Sequence, residues 1–365
     1  SDVASLNMQT IPFYRSISRL GWIEKDFAPY DTSIKYDGDA DFQNIYEHVG
    51  ECGDYKLWLD HITALRENIN IRLMLSASFA SVLIEKVGAL PFVLHLWGTT
   101  GFGKTVSLMV ASSIWGNPDM GCLTRSMNAT ANSIVRTASF LYSIPFCADE
   151  MQQIKDRWGN YDNFIMFVCE GIDRGKAKAK GGVEEQKVWK NAFIFTGEEP
   201  VTKANSGGGV KNRCIEIEVK DKIIADGNKT ANLVKENYGF AGKKFVEYLQ
   251  GLNDEDIKRE YKEIFTEIVE NTDTTEKQAM SMALILLADR YACDCIFEGS
   301  SPLKLEEVKE YLVSAKTIDM PERAYEWVVN WIAENNIRFS DNLDENKGAV
   351  WGKIDNGIAV INKNV

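Results

Sequence analysis

The amino-acid sequence predicts an α/β fold: a parallel sheet flanked by helices, then a helical region and a small helix-plus-ribbon module. Three observations carry this reading. The apolar run Phe92-Val93-Leu94-His95-Leu96-Trp97 ends in a glycine-rich loop and is followed by a helical pattern. Further short apolar runs recur downstream, separated by helical or loop sequence. Beyond about residue 220, apolar residues fall at three- and four-residue spacing. Strands alternating with helices point to a parallel sheet covered on both faces.

Residues 1–60 are rich in aromatics and turn formers (Pro12, Gly21, Pro29, Asp37-Gly38-Asp39) and lack a long helical period. They read as an extended lead-in packed against the rest of the chain. Over 60–86, Leu65, Ile69, Leu73, Ser76, Ala80 and Leu83 predict a helix, stopped by Gly88. Residues 92–97 predict a buried strand and 104–115 a helix closed by Gly116 and Pro118. Strands are expected at 121–127, 143–148, 191–195 and 213–219, with a helix over 130–142. Residues 61–220 are thus one α/β core. The helical lid region, 221–317, holds a helix over 254–269, a second over 273–297 opened by the capping box Asp273 and Glu276, and a third opened by Ser301-Pro302. Residues 318–365 combine a helix over 321–335 with strands at 350–354 and 358–361, a pattern suited to a winged helix.

The 365 residues are 45% hydrophobic and 26% charged, ordinary for a globular chain with a core. A net charge of −12 confines any nucleic-acid contact to a local patch or channel. Seven cysteines without a C-x-x-C pair fit a reducing compartment, and a cytoplasmic location is expected. Three scattered histidines disfavour a histidine metal cluster. The greasiest stretch, 279–297, carries Asp289, Arg290 and Asp294, so no membrane span is expected. No signal peptide opens the chain, and its start at Ser1-Asp2 fits a piece excised from a longer protein.

The chemistry is read from one loop outward. Gly98-Thr99-Thr100-Gly101-Phe102-Gly103-Lys104-Thr105 satisfies G-x-x-x-x-G-K-[ST], the phosphate-binding loop of nucleoside triphosphatases. Glycines let main-chain N–H groups turn toward phosphate oxygens, Lys104 reaches the terminal phosphates of ATP, and the Thr105 hydroxyl ligates Mg²⁺. Ile144-Pro145-Phe146-Cys147-Ala148-Asp149-Glu150 reads as a strand ending in the carboxylates this requires: Asp149 orients the metal and its waters, and Glu150 is the general base. Thr196, at the end of the next strand, is a candidate sensor of the γ-phosphate. The lysines of Arg174-Gly175-Lys176-Ala177-Lys178-Ala179-Lys180 alternate with small residues, so in an extended hairpin they share one side; the segment reads as a solvated loop or as a DNA contact. Arg213, after Gly207-Gly208-Gly209, is either a structural arginine or one that reaches a neighbouring subunit's γ-phosphate.

Together these landmarks resemble the family catalogued as domain of unknown function 927, whose members look like helicases of phages and mobile elements. In core they are similar to AAA+ ATPases of the mini-chromosome-maintenance and superfamily-three types. The resemblance rests on Gly21-Trp22, Phe27-Ala28-Pro29-Tyr30, Gly53-Asp54 with Trp58, and Ser76-Ala77-Ser78-Phe79-Ala80. It continues through the loop to Ala111-Ser112-Ser113-Ile114-Trp115-Gly116-Asn117-Pro118, Asp149-Glu150, Thr196-Gly197-Glu198 and Ala288-Asp289. It implies a hexameric ring with ATP between subunits, and a pore hairpin in which Arg174, Lys176, Lys178 and Lys180 contact single-stranded DNA. It also implies that Arg213 acts as an arginine finger. Lys277 takes the place of a basic second sensor on ATP, where the family usually has arginine. The expected function is a Mg²⁺-dependent ATPase that moves or unwinds DNA. A nucleotide-dependent switch or assembly ATPase and a small-molecule P-loop kinase are the rival readings.

Overall fold

The computed structural model describes residues 14–154, 161–173, 186–202, 206–315, 320–339, 350–355 and 358–362. They fall into two units, Ser1–Val313 and Ser314–Val365.

The lead-in is built from short strands: β1 (Arg15–Ile17), β2 (Gly21–Ile23), β3 (Asp26–Ala28) and β4 (Ile34–Tyr36). β1 pairs parallel with β4, and β2 antiparallel with β3. The segment is part of the core, since Leu20, Trp22 and Phe27 are buried and Leu20 N donates to Phe140 O at 2.8 Å. Buried indoles here and beyond each find an acceptor, as burial of a polar N–H requires. Trp22 donates to Val82 O, Trp58 to Ser113 Oγ, Trp115 to Ser78 Oγ and Trp189 to Val168 O.

The helix expected over 60–86 is three helices, Tyr55–Leu65, Ile69–Ala80 and Leu83–Val87. Asn68 breaks the run, because its side chain accepts from Asn70 N and starts a new helix, while Asp54, accepting from Lys56 N and Leu57 N, starts the first helix ahead of the expected position. Gly88, at φ 70°, ends the third in the left-handed region.

The core sheet has five parallel strands: β5 (Phe92–Gly98), β6 (Thr124–Ser126), β7 (Phe146–Asp149), β8 (Ala192–Gly197) and β9 (Cys214–Val219). Their order is β6-β7-β8-β5-β9. Apart from half-buried Trp97 in β5, β5 and β8 are buried throughout, as central parallel strands covered on both faces must be. Helices Lys104–Ser112, Ala131–Leu141 and Tyr161–Glu170 connect the strands. The third is not among the elements expected from the sequence, although Gly171, which follows it at φ 74°, is a stop signal.

Beyond β9 come helices Gly227–Glu236, Phe240–Gly251, Asp254–Asn271 and Glu276–Cys295. The last is buried on nearly every side, and among the described residues no helix is long and apolar enough to cross a membrane. Its cap is Thr275, whose hydroxyl accepts from Gln278 N, so the expected Asp273–Glu276 box does not form. The helix expected at Ser301-Pro302 opens instead at Leu305, because Leu303 N is drawn to Asp289 Oδ2 at 2.7 Å.

In the second unit, helix Met320–Glu334 accompanies an antiparallel pair, β10 (Gly352–Asp355) and β11 (Ile358–Ile361). The rings of Trp331 and Trp351 stack with centroids 5.3 Å apart.

One buried charge ties the first unit's helices together. Asp289 is fully buried and accepts from Arg66 Nη1 at 3.0 Å, Arg72 Nη2 at 3.0 Å and Ser76 Oγ at 2.9 Å. Removing one partner of such a set strands the opposite charge without solvent. Asp289→Ala is therefore expected to cost about 3–5 kcal/mol in urea denaturation. A loss below about 1 kcal/mol would show that the two arginines find other partners.

Candidate functional site

The carboxyl ends of β5, β7, β8 and β9 face one cleft of about 600 Å³. In open parallel sheets this edge is where ligands bind. The loop after β5 turns on three glycines with positive φ: Gly98 (146°), Gly101 (88°) and Gly103 (96°). Gly98 is forced by a neighbouring strand, since a Cβ there would lie 2.5 Å from Val219 O. The loop's far side is pinned by Ile223 N donating to Phe102 O at 2.9 Å. Thr99 and Thr100 are exposed.

Gly103 heads helix Lys104–Ser112 without any side-chain cap. The first N–H groups of the helix therefore point out unpaired by the helix itself, the arrangement that favours an anion. Lys104 is 8% exposed, and its ammonium folds back on Gly98 O at 2.7 Å and Thr99 O at 2.8 Å. Burial pushes its pKa down, opposed by the negative charges of Asp149 and Glu198.

A single carboxylate organises the opposite wall. Asp149 Oδ2 accepts from Thr105 Oγ1 at 2.6 Å, and Oδ1 accepts from Thr196 Oγ1 at 2.5 Å and from Glu150 N at 2.9 Å. Thr196 is fully buried, so it supports Asp149 from beneath. Glu150 is exposed to the cleft, sits at φ 63° and accepts from Gln153 Nε2. A left-handed glutamate costs about 1–3 kcal/mol, and such outliers collect where a side chain must be aimed.

Thus Gly101, Gly103, Lys104, Thr105, Asp149 and Glu150 converge on the cleft, with Thr196 below them. Arg213 and Lys277 do not join them. They flank a groove at the other edge of the sheet, beside Leu90, Pro91 and Met280. Arg213 O accepts from Val93 N at 3.0 Å, at the start of β5, and its guanidinium donates to Gly209 O at 2.8 Å. Lys277 is exposed. Arg174, Lys176, Lys178 and Lys180 lie outside the described residues. The chain to either side of them pairs antiparallel, with an Ile172–Val188 bridge and Asp173 N donating to Lys187 O at 2.8 Å.

Three cleft residues are given no role by the sequence. Glu198 accepts from Thr100 Oγ1 at 2.7 Å, and Lys222 and Asp226 line the wall beyond β9. Asp226-Gly227 is a cap signature that marks the start of helix Gly227–Glu236, where Asp226 accepts from Lys229 N. The sequence shows Glu198 only as the end of Thr196-Gly197-Glu198, which gives it no role, and nothing there singles out Lys222.

The loop glycines differ in what restrains them. Gly98→Ala meets both positive φ and the Val219 carbonyl, and is expected to cost about 3 kcal/mol or more. Gly101→Ala has no heavy atom within 4 Å of its new Cβ and is expected to cost about 1 kcal/mol, the backbone term alone. Equal losses in urea denaturation would contradict this account of the loop.

The chain is similar in fold to a solved structure described as the SCCmec type IV Cch active helicase, at 16% identity and TM-score 0.70, over 96% of this chain and 70% of that one. The NrS-1 C-terminal region aligns over 85% of this chain and 84% of its own, at 10% identity and a TM-score of 0.29. No curated protein matches. Residues 319–365 match a Cch helix turn helix domain. Residues 3–188, just over half of the 365, match the domain of unknown function DUF927, and the chain belongs to that family.

Proposed function

We propose that the protein is a Mg²⁺-dependent ATPase that drives movement along DNA, a replicative helicase of a phage or mobile element. The observation that carries this is the convergence of Lys104, Thr105, Asp149 and Glu150 on one cleft at the glycine-rich loop. The likeness in fold to a protein described as an active helicase, and the match to a helix turn helix domain, support the DNA part.

The residues present fit a triphosphate and its metal. The uncapped helix start and the glycine turns offer N–H donors to phosphate oxygens. Lys104 Nζ, held among the described residues by the carbonyls of its own loop, can exchange them for the stronger charge-assisted bond to a phosphate. Thr105 and Asp149 would hold Mg²⁺ and its waters, a hydroxyl–carboxylate set suited to a hard cation that keeps most of its own water. Bound there, the metal would neutralise charge on the phosphates. Glu150 takes the proton of the attacking water on its carboxylate, and Gln153 holds that carboxylate in place. Thr196 keeps Asp149 oriented.

Arg213, on the sheet edge away from its own cleft, serves a neighbouring subunit's nucleotide in a ring, here proposed as a hexamer, with Lys277 beside it. Arg174, Lys176, Lys178 and Lys180, which lie in the chain between the paired segments at 171–173 and 187–189, hold single-stranded DNA.

Lys104→Ala is expected to abolish ATP binding. Glu150→Gln is expected to keep binding and lower turnover by about 10²–10⁴-fold. Unchanged turnover in Glu150→Gln would remove the general base. Single-stranded DNA is expected to stimulate turnover of the wild type and not of the combined Lys176→Ala, Lys178→Ala, Lys180→Ala variant. Equal stimulation would remove the hairpin from the mechanism.

A further inference from the structure

The cleft is more acidic than a receptor for phosphates needs to be. Lys104 and Lys222 line it against Asp149, Glu150, Glu198 and Asp226, so two positive and four negative groups leave a formal −2. Three of those acids have structural or chemical roles. Asp149 organises Thr105 and Thr196, Glu150 faces the cleft as the proposed base, and Asp226 caps helix Gly227–Glu236. Glu198 shares none of these roles, yet its place is well defined. Gly197 of β8 pairs in register with Trp97 of β5, so the next residue stands beside the root of the glycine-rich loop. There Glu198 Oε1 accepts from Thr100 Oγ1 at 2.7 Å. Its charge also acts on the Lys104 ammonium, the group meant for the terminal phosphates.

We propose that Glu198 is a charge gate on the phosphate-binding loop: it latches Thr100 and repels a triphosphate that arrives without a divalent cation. This rests on the nucleotide-binding reading of the cleft. A free nucleoside triphosphate brings about four negative charges, and its divalent-cation complex about two. The first meets the net negative wall unscreened. The second carries its own counter-charge to Asp149 and suffers far less from Glu198. Repulsion between partly hydrated unit charges a few ångströms apart is worth about tenfold in affinity, and salt weakens it. Glu198 is exposed, so the effect is largest at low ionic strength. The consequence is selectivity: the loop closes on the metal complex and disfavours the free nucleotide. Glu198 is a positioning and selectivity residue and takes no part in proton transfer.

The test is calorimetric titration of the full chain with ATP at low ionic strength, once in Mg²⁺ and once in a chelator. Wild type is expected to bind more than about tenfold more weakly without metal. Glu198→Gln keeps an acceptor oxygen for Thr100 but loses the charge. It is expected to tighten metal-free binding by about tenfold and to alter binding in Mg²⁺ by less than about threefold. Glu198→Asp keeps the charge and is expected to hold the wild-type ratio within about twofold. A Glu198→Gln protein with the wild-type ratio, in a chain that does bind ATP, overturns the gate and leaves the nucleotide reading standing. A wild type that binds ATP in neither buffer overturns both.

Discussion

The hydrogen bonds from Thr105 and Thr196 to the two oxygens of Asp149 are the contacts on which the site depends. They link the start of helix Lys104–Ser112 to the ends of β7 and β8, elements far apart in sequence. Because a carboxylate has two acceptor oxygens and no freedom to donate, it fixes both hydroxyls at once. The loop is held from the other side by sterics, where the Val219 carbonyl leaves room only for glycine at position 98. Between those restraints the backbone of the loop is preorganised.

The same cleft holds strain and unmet electrostatics. Glu150 is left-handed, Lys104 is desolvated against carbonyls, and acids outnumber bases along the wall. The desolvated ammonium and the excess of acids would be relieved by an anion accompanied by a cation, whereas the Glu150 backbone strain is of the kind that collects where a side chain must be aimed. A fold stabilised only for its own sake would have no reason to keep them, and natural proteins break local rules chiefly where function requires it. The buried Asp289 cluster behaves differently: its acid is matched by Arg66 and Arg72, so it reads as structure.

Much of this was readable because the strongest signals were local. The apolar run at 92–97, the glycine spacing and the Asp-Glu strand end each report on a few adjacent residues, and the structure brings them to one edge of the sheet. Helix boundaries were read less well where polar side chains compete for the backbone: Asp54, Asn68 and Thr275 set starts that hydrophobic spacing did not reveal. The roles of Glu198 and Lys222 were not readable, because their place in the cleft comes from strand register and from the return of the chain after β9. The extended lead-in was expected to pack against the rest of the chain and does so, supplying Leu20, Trp22 and Phe27 to the core; which of its residues do this only tertiary packing discloses.

The central claim is that residues 98–105 receive the terminal phosphates of a nucleotide. An experimental structure of the chain with Mg²⁺ and a non-hydrolysable ATP analogue tests it most directly. The account requires phosphate oxygens against the main-chain N–H groups at the start of helix Lys104–Ser112, with Lys104 Nζ released from Gly98 O and Thr99 O. Nucleotide seated elsewhere, or Lys104 still bound to those two carbonyls beneath it, would contradict the account.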